Sequence, residues 1–123
     1  MQKVEEDEKE KIVFEYNKVE MLRLQGKQVI AKDTKYKTGR IEFYKNEVKI
    51  FLDNSFERFS ISEIHKHDNG YQLRSENNQG DKCVIAIIRR NGLDLVTAHF
   101  IEINMMGMFY ISKGFSSDIE FLN

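Results

Sequence analysis

An antiparallel β-meander of about eight strands is the fold class that the sequence predicts, closing into a small up-and-down barrel or half-barrel behind an N-terminal helix. Three observations predict it. From Gly39 onward apolar and polar residues alternate with the two-residue period of a half-buried strand. Turn dipeptides, Asn69-Gly70 and Asn91-Gly92 among them, punctuate the alternating runs. Proline is absent, and no Gly/Ser-rich or Pro-rich linker marks a boundary, so residues 1–123 read as one domain. The alternative arrangement is α+β, with one helix packed on an open antiparallel sheet.

Residues 1–26 read as a helix or, failing that, a hairpin. Ile12, Tyr16, Val19 and Leu22 fall on one helical face, acidic residues crowd the start, Arg23 sits in the last turn and Gly26 suits a C-terminal stop. The segment IVFEYNKVEMLRL is also rich in β-formers, but a hairpin around Asn17-Lys18 places Glu15 opposite Glu20, a like-charge pair that costs stability. The helix is therefore the preferred reading. Residues 27–123 form the meander. QVIAKD supplies a first strand, and a turn at Lys45-Asn46 then sets Phe43 opposite Val48, Ile41 opposite Ile50 and Glu42 opposite Lys49.

The next pair, FERFSISEIHKHDNGYQLRSEN, turns at Asn69-Gly70, which brings His67 opposite Gln72 and His65 opposite Arg74. DKCVIAIIRRNGLDLVTAHF turns at Asn91-Gly92. HFIEINMMGMFYISK turns around Asn104 to Gly107, and DIEFLN adds a last strand. In outline this layout is similar to the calycin type of up-and-down barrel. The chain has no tryptophan and so lacks the glycine-x-tryptophan signature of true lipocalins, and no functional residue is carried over from that resemblance.

Composition removes several function classes. With 19 basic and 20 acidic side chains the net charge is -1, which provides no global field toward nucleic acid or anionic lipid. The reading is of a protein that binds no nucleic acid. No run of about 18 apolar residues is present, so no membrane span is expected. The N-terminus lacks the apolar stretch of a signal peptide, and the chain as it stands reads as cytoplasmic; an exported protein with its signal removed has the same appearance. The single cysteine, Cys83, excludes an internal disulfide and multi-cysteine zinc sites. Phosphate-loop, dinucleotide, zincin and serine-hydrolase strings are missing, and no cofactor is implied.

The candidate site residues follow from the hairpins. His65 and His67 share a face with Gln72 and Arg74; they are weak metal candidates, because a stable site wants further ligands and avoids a neighbouring cation. His99 is separated from Cys83 by the sheet: Cys83 groups with Ile85, Ile87, Val96 and Ala98, and His99 with Val84, Ala86, Leu95 and Thr97. Glu57, Glu63, Glu102 and Asp94 are carboxylates available to a barrel mouth, without spacing that singles out an acid and a base. Met105, Met106 and Met108, with Phe109, Phe100 and His99 beside them, form the binding candidate, the first two methionines at a hairpin tip where soft side chains suit a partner or an apolar ligand.

The strands around Ile87 and Val96 are apolar on both faces, which calls for cover by the N-terminal helix or by a second copy of the chain, a homodimer. The function expected is thus non-catalytic: an apolar small molecule held in the barrel, or a protein partner on the methionine hairpin. A barrel-mouth enzyme using His99 with Glu57, Glu63 or Glu102 is the alternative, and a structural or toxin-neutralising interaction protein is a third.

Overall fold

The computed structural model describes residues 11–90 and 93–113. Among these residues nine strands form one antiparallel sheet: β1 (Ile12–Gln25), β2 (Gln28–Lys35), β3 (Gly39–Phe43), β4 (Glu47–Leu52), β5 (Ser55–His67), β6 (Gly70–Asn77), β7 (Lys82–Arg90), β8 (Leu93–Phe100) and β9 (Met105–Lys113). β1 pairs with β9 along one edge, so β1 and β3 to β9 close an eight-stranded barrel. Closure removes the sheet edges of those strands. β2 stands outside the ring and pairs only with the second half of β1.

The first correction concerns residues 12–25, which form one long strand instead of a helix. β1 pairs with β3 through Ile12–Tyr16, then with β2 through Val19–Gln25, and runs beside β9 from Glu15 to Arg23. Its register against β9 shifts between Tyr16 and Lys18, the mark of a β-bulge. Phe14 and Tyr16 join the core before the bulge, and Val19 joins it afterwards. The bulge changes the spacing from two residues to three, so the inward set at 12, 16 and 19 imitates a helical stripe. Leu22, the fourth member of that stripe, points to the outer face. Residues 1–10 lie outside the described residues.

The β3–β4 hairpin has the expected register, Phe43 with Val48, Glu42 with Lys49 and Ile41 with Ile50. β7 and β8 likewise pair Cys83 with Phe100, Ile85 with Ala98 and Ile87 with Val96. Their expected turn, Asn91-Gly92, lies outside the described residues, as does the strand expected at DIEFLN. The β1–β9 pairing closes the barrel.

The β5–β6 turn is displaced by one residue from expectation. His67 pairs with Gly70 and His65 with Gln72, so Asp68-Asn69 form the turn and Gly70 opens β6. The cause is contact with β7: Gly70 has φ 156°, and a Cβ there would lie 1.7 Å from the Ile87 carbonyl oxygen. Glycine is needed for that close approach, leaving Asp68 and Asn69 to make the turn.

The β8–β9 connection also differs. A short 3-10 turn spans Ile101–Ile103, Asn104 takes the left-handed conformation at φ 56°, and β9 starts at Met105. Asn104 tolerates that conformation better than most residues. Met105 and Met106 therefore lie in a strand, and Ile101 and Ile103 occupy the tip.

The barrel interior is packed through one half of its height. Phe14, Phe43, Val48, Leu73, Ile85, Ile87 and Val96 are fully buried there. Each such side chain contributes about 1.5–3 kcal/mol by leaving water. The Arg89 guanidinium donates to Asp94 at 3.2 Å where β7 passes to β8, and the Arg89 N–H donates to the Asn69 carbonyl at 2.8 Å. No helix among the described residues is long and apolar enough to cross a membrane.

Candidate functional site

At the other end of the barrel, where β4 turns into β5, β6 into β7 and β8 into β9, the packing gives way to a cavity of about 490 Å³. Its volume lies in the range of small-molecule sites, ~300–1,000 Å³. The strands build it by ordinary alternation. β1 contributes Met21, β4 contributes Ile50 and Leu52, β5 contributes Glu57 and Phe59, β8 contributes Ala98 and Phe100, and β9 contributes Gly107 and Phe109. The next inward residue along two of these strands, Val48 on β4 and Val96 on β8, is fully buried, which sets the depth at two residue layers.

Aromatic contacts shape the walls. Phe59 and Phe100 have ring centroids 5.9 Å apart, and Phe109 meets Tyr16 edge-on at 5.1 Å. Both separations are ordinary for favourable aromatic pairs. Tyr16 runs over Gly39 and donates its hydroxyl to the Phe51 carbonyl; a Cβ at Gly39 would lie 2.2 Å from the Tyr16 oxygen. Gly107 and Ala98 keep the opposite wall thin.

The polar rim is organised by Asn77, which is almost fully buried. Its Oδ1 accepts from the backbone N–H groups of Gln79 at 3.0 Å and Asp81 at 2.9 Å. Its Nδ2 donates to Glu57 Oε2 at 3.0 Å and to Asp81 Oδ2 at 3.2 Å. Asn77 thus ties the β6–β7 turn and holds the Glu57 carboxylate. Burial first, and the charge of Glu57 second, push the Cys83 thiol up to about 12, which keeps it protonated and unreactive at neutral pH.

A second group of polar residues fastens β2 to the outside of the barrel. Tyr110 donates its hydroxyl to Glu20 Oε1 at 2.6 Å and Thr34 donates to Oε2 at 3.2 Å, with Lys32 at 3.8 Å and Lys18 at 3.9 Å. The Tyr110 hydrogen bond leads the causes that hold the Glu20 carboxyl below its ordinary range, against the opposing effect of burial. On the neighbouring wall burial works against ionising Glu42, but Arg40 at 2.8 Å, Tyr44 at 2.7 Å and Lys11 outweigh it and lower its pKa. Both buried carboxylates are structural clamps on the outer face.

Of the sequence candidates, Phe100 and Phe109 line the cavity. Met106 pairs with His99, and Met108 with Thr97, on the outer face; Met105 pairs with Phe100 at the rim. The methionine group is therefore divided across the sheet, and the expected hairpin-tip cluster does not form.

His99 faces outward while Glu57 faces the cavity, so that pair does not converge. Glu63 lies beside His65 at 2.9 Å and Arg74 at 3.6 Å on the outer face of β5 and β6, and Asp94 is at the packed end. Glu102 sits exposed in the 3-10 turn. His65 is half exposed, and among the described residues no group of three or more metal-ligating side chains forms.

Sequence reasoning missed Met21, Ile50, Leu52, Asn77 and Gly107 as parts of the site. ENNQGD does signal a turn, but nothing local indicates that its first Asn reaches across to Glu57. Phe51 and Phe56 stack at 4.9 Å and Arg40 covers the Phe51 ring at 3.7 Å; Phe51 belongs to the exterior, and Phe56 reaches the edge of the cavity. Comparison with protein-family models, with curated proteins and with solved structures finds no match.

Proposed function

We propose that this protein is a non-catalytic binding protein that holds an apolar small molecule in the open end of its barrel. The observation that carries the reading is the 490 Å³ cavity lined by Met21, Ile50, Leu52, Phe59, Phe100 and Phe109. A barrel of eight strands has room for one small ligand where its interior side chains stop short. The layout is lipocalin-like in that sense alone.

The test is titration with the neutral fluorescent probe N-phenyl-1-naphthylamine, on the wild type and on Ala98→Leu, which adds bulk to the cavity wall. The expected result is saturable enhancement in the wild type and weaker binding in the variant, with melting temperature preserved. Absence of saturable binding by the wild type rejects the reading.

A partner surface is the second reading, favoured by β2. Its residues Val29 and Ile30 are each 52% exposed, and its outer edge carries no strand among the described residues. Such an edge is a template for strand addition by another chain. A sedimentation coefficient that rises with protein concentration supports self-association there, and an invariant monomer argues against it.

A further inference from the structure

Resting on the reading of the cavity as a ligand site, the charge at its mouth identifies the class of ligand. Glu57 occupies an inward register position: it pairs across the sheet with Ile50, whose side chain lies in the core, and both line the cavity. Glu57 is an exposed residue of the mouth that shares the cavity wall with Phe59, Phe100 and Ile50, and its carboxylate is not required for packing. Among the described residues the hydrogen-bond donor given to Glu57 is the neutral amide of Asn77, at 3.0 Å, and the same amide serves Asp81 at 3.2 Å. Two carboxylates thus meet at the rim, and among the described residues neither has a cation partner.

The guanidinium of Arg58, the next residue in the chain, is held by another carboxylate. Arg58 contributes to the cavity wall, but its Nε lies 3.0 Å from Glu47, and its guanidinium is 5.8 Å from the Phe56 ring at the cavity edge. Arg23, the next cation along β1 beyond Met21, does not line the cavity. Glu57 is therefore a lining carboxylate without an ion-pair partner among the described residues, with an aromatic wall directly beneath it. A carboxylate accepts hydrogen bonds from an ammonium group, and aromatic faces such as Phe100 attract the same cation. A fatty-acid carboxylate would instead meet like charge.

We propose that the cavity selects cationic amphiphiles, an amine on an apolar tail, with Glu57 as acceptor for the ammonium head and Asn77 as the residue that positions it. The geometry assigns the tail to the space between Met21, Leu52, Phe59 and Phe109. Selection acts through the head group, because amine, alcohol and carboxylate of one chain length bury the same tail.

The experiment displaces bound N-phenyl-1-naphthylamine with decylammonium, decanol and decanoate at neutral pH and low salt, using wild type, Glu57→Gln and Glu57→Lys. In the wild type decylammonium is expected to displace the probe at a concentration about tenfold below that of decanoate, a difference of about 1.4 kcal/mol, with decanol between them. Glu57→Gln, which keeps an oxygen for Asn77, narrows the gap, and Glu57→Lys reverses the order.

Equal displacement by all three ligands, a preference for decanoate, or a preference that survives Glu57→Gln overturns the proposal while leaving the cavity a binding site. If the wild type binds neither the probe nor decanol, the cavity reading itself fails and this inference with it. Unchanged melting curves for both variants establish that the changes arise at the mouth and not from unfolding.

Discussion

The two ends of the barrel are built from the same strands and differ in what fills them. At the packed end Phe14, Phe43, Leu73 and Ile87 leave no solvent-accessible surface. At the open end the equivalent inward positions hold Gly107, Ala98, Met21 and the charged Glu57, and a cavity remains. Strands that run the full height therefore divide the work: one half supplies folding energy, and the other is free to carry small and polar residues. Substitutions in the two halves should separate stability from binding.

The largest effect is expected for Ile87→Asp. Ile87 has no exposure, pairs with Val96 and Tyr71, and belongs to the hydrophobic core cluster. Burying an unpaired charge costs several kcal/mol, a large part of the ~5–15 kcal/mol that holds a domain folded. Circular dichroism should show no cooperative melting transition. A variant that melts near the wild type would show that the packed end is looser than its burial indicates.

A matched pair sharpens the contrast. Leu73→Ala at the packed end should cost about 2–5 kcal/mol, the range for a buried leucine that leaves a void. Leu52→Ala, at the half-buried mouth, should cost less than about 1.5 kcal/mol and weaken probe binding instead. Urea unfolding of both, beside a binding titration of the second, tests the division. Equal costs would contradict it.

The fold was legible in the sequence wherever the two-residue alternation was unbroken. Phe43 against Val48 and Ile87 against Val96 needed only a turn position and the alternation of a pleated strand. Reading failed where a local irregularity changed the count. The bulge after Tyr16 spaced Val19 like a helical residue. Close approach to Ile87 moved the turn off Gly70, and Asn104 ended the β8–β9 connection before Met105. Each of these depends on a neighbouring strand, which no short window of sequence displays. The cavity was less legible still. Phe100 and Phe109 were in view, but Met21, Leu52 and Gly107 come together only when β1 closes on β9.

The outer clamp at Glu20 gives a smaller, pH-dependent difference between β2 and the barrel. The folded-state pKa of Glu20 lies below the ordinary value, chiefly through the Tyr110 hydrogen bond and with help from Thr34, Lys32 and Lys18. A lowered folded pKa means that the ionised clamp stabilises the fold above the ordinary carboxylate range and loses that contribution as pH falls through the folded value. Amide exchange in Gln28–Lys35 should accelerate below about pH 4 before exchange in β7 and β8 does. Glu20→Gln should speed exchange in β2 already at neutral pH and flatten this acid dependence. Simultaneous loss of protection in β2 and the barrel would mean that the strand is not an independent unit.

The smallest effect is expected on the outer face of β5 and β6. His65 and His67 attract attention in the sequence because two imidazoles at alternate positions of one strand share a face. The structure gives His65 a different neighbour, Glu63 at 2.9 Å, with Arg74 also 3.6 Å from that carboxylate. The hydrogen bond from His65 leads the causes that lower the Glu63 pKa, yet the carboxyl is open to solvent, where such pairs contribute little to folding. The guanidinium beside it opposes binding of a metal cation. The double variant His65→Ala with His67→Ala should therefore melt with the wild type, and native mass spectrometry after incubation with zinc should give the same mass increment for both proteins. A zinc increment lost only in the double variant would place a metal site on this hairpin, away from the barrel mouth.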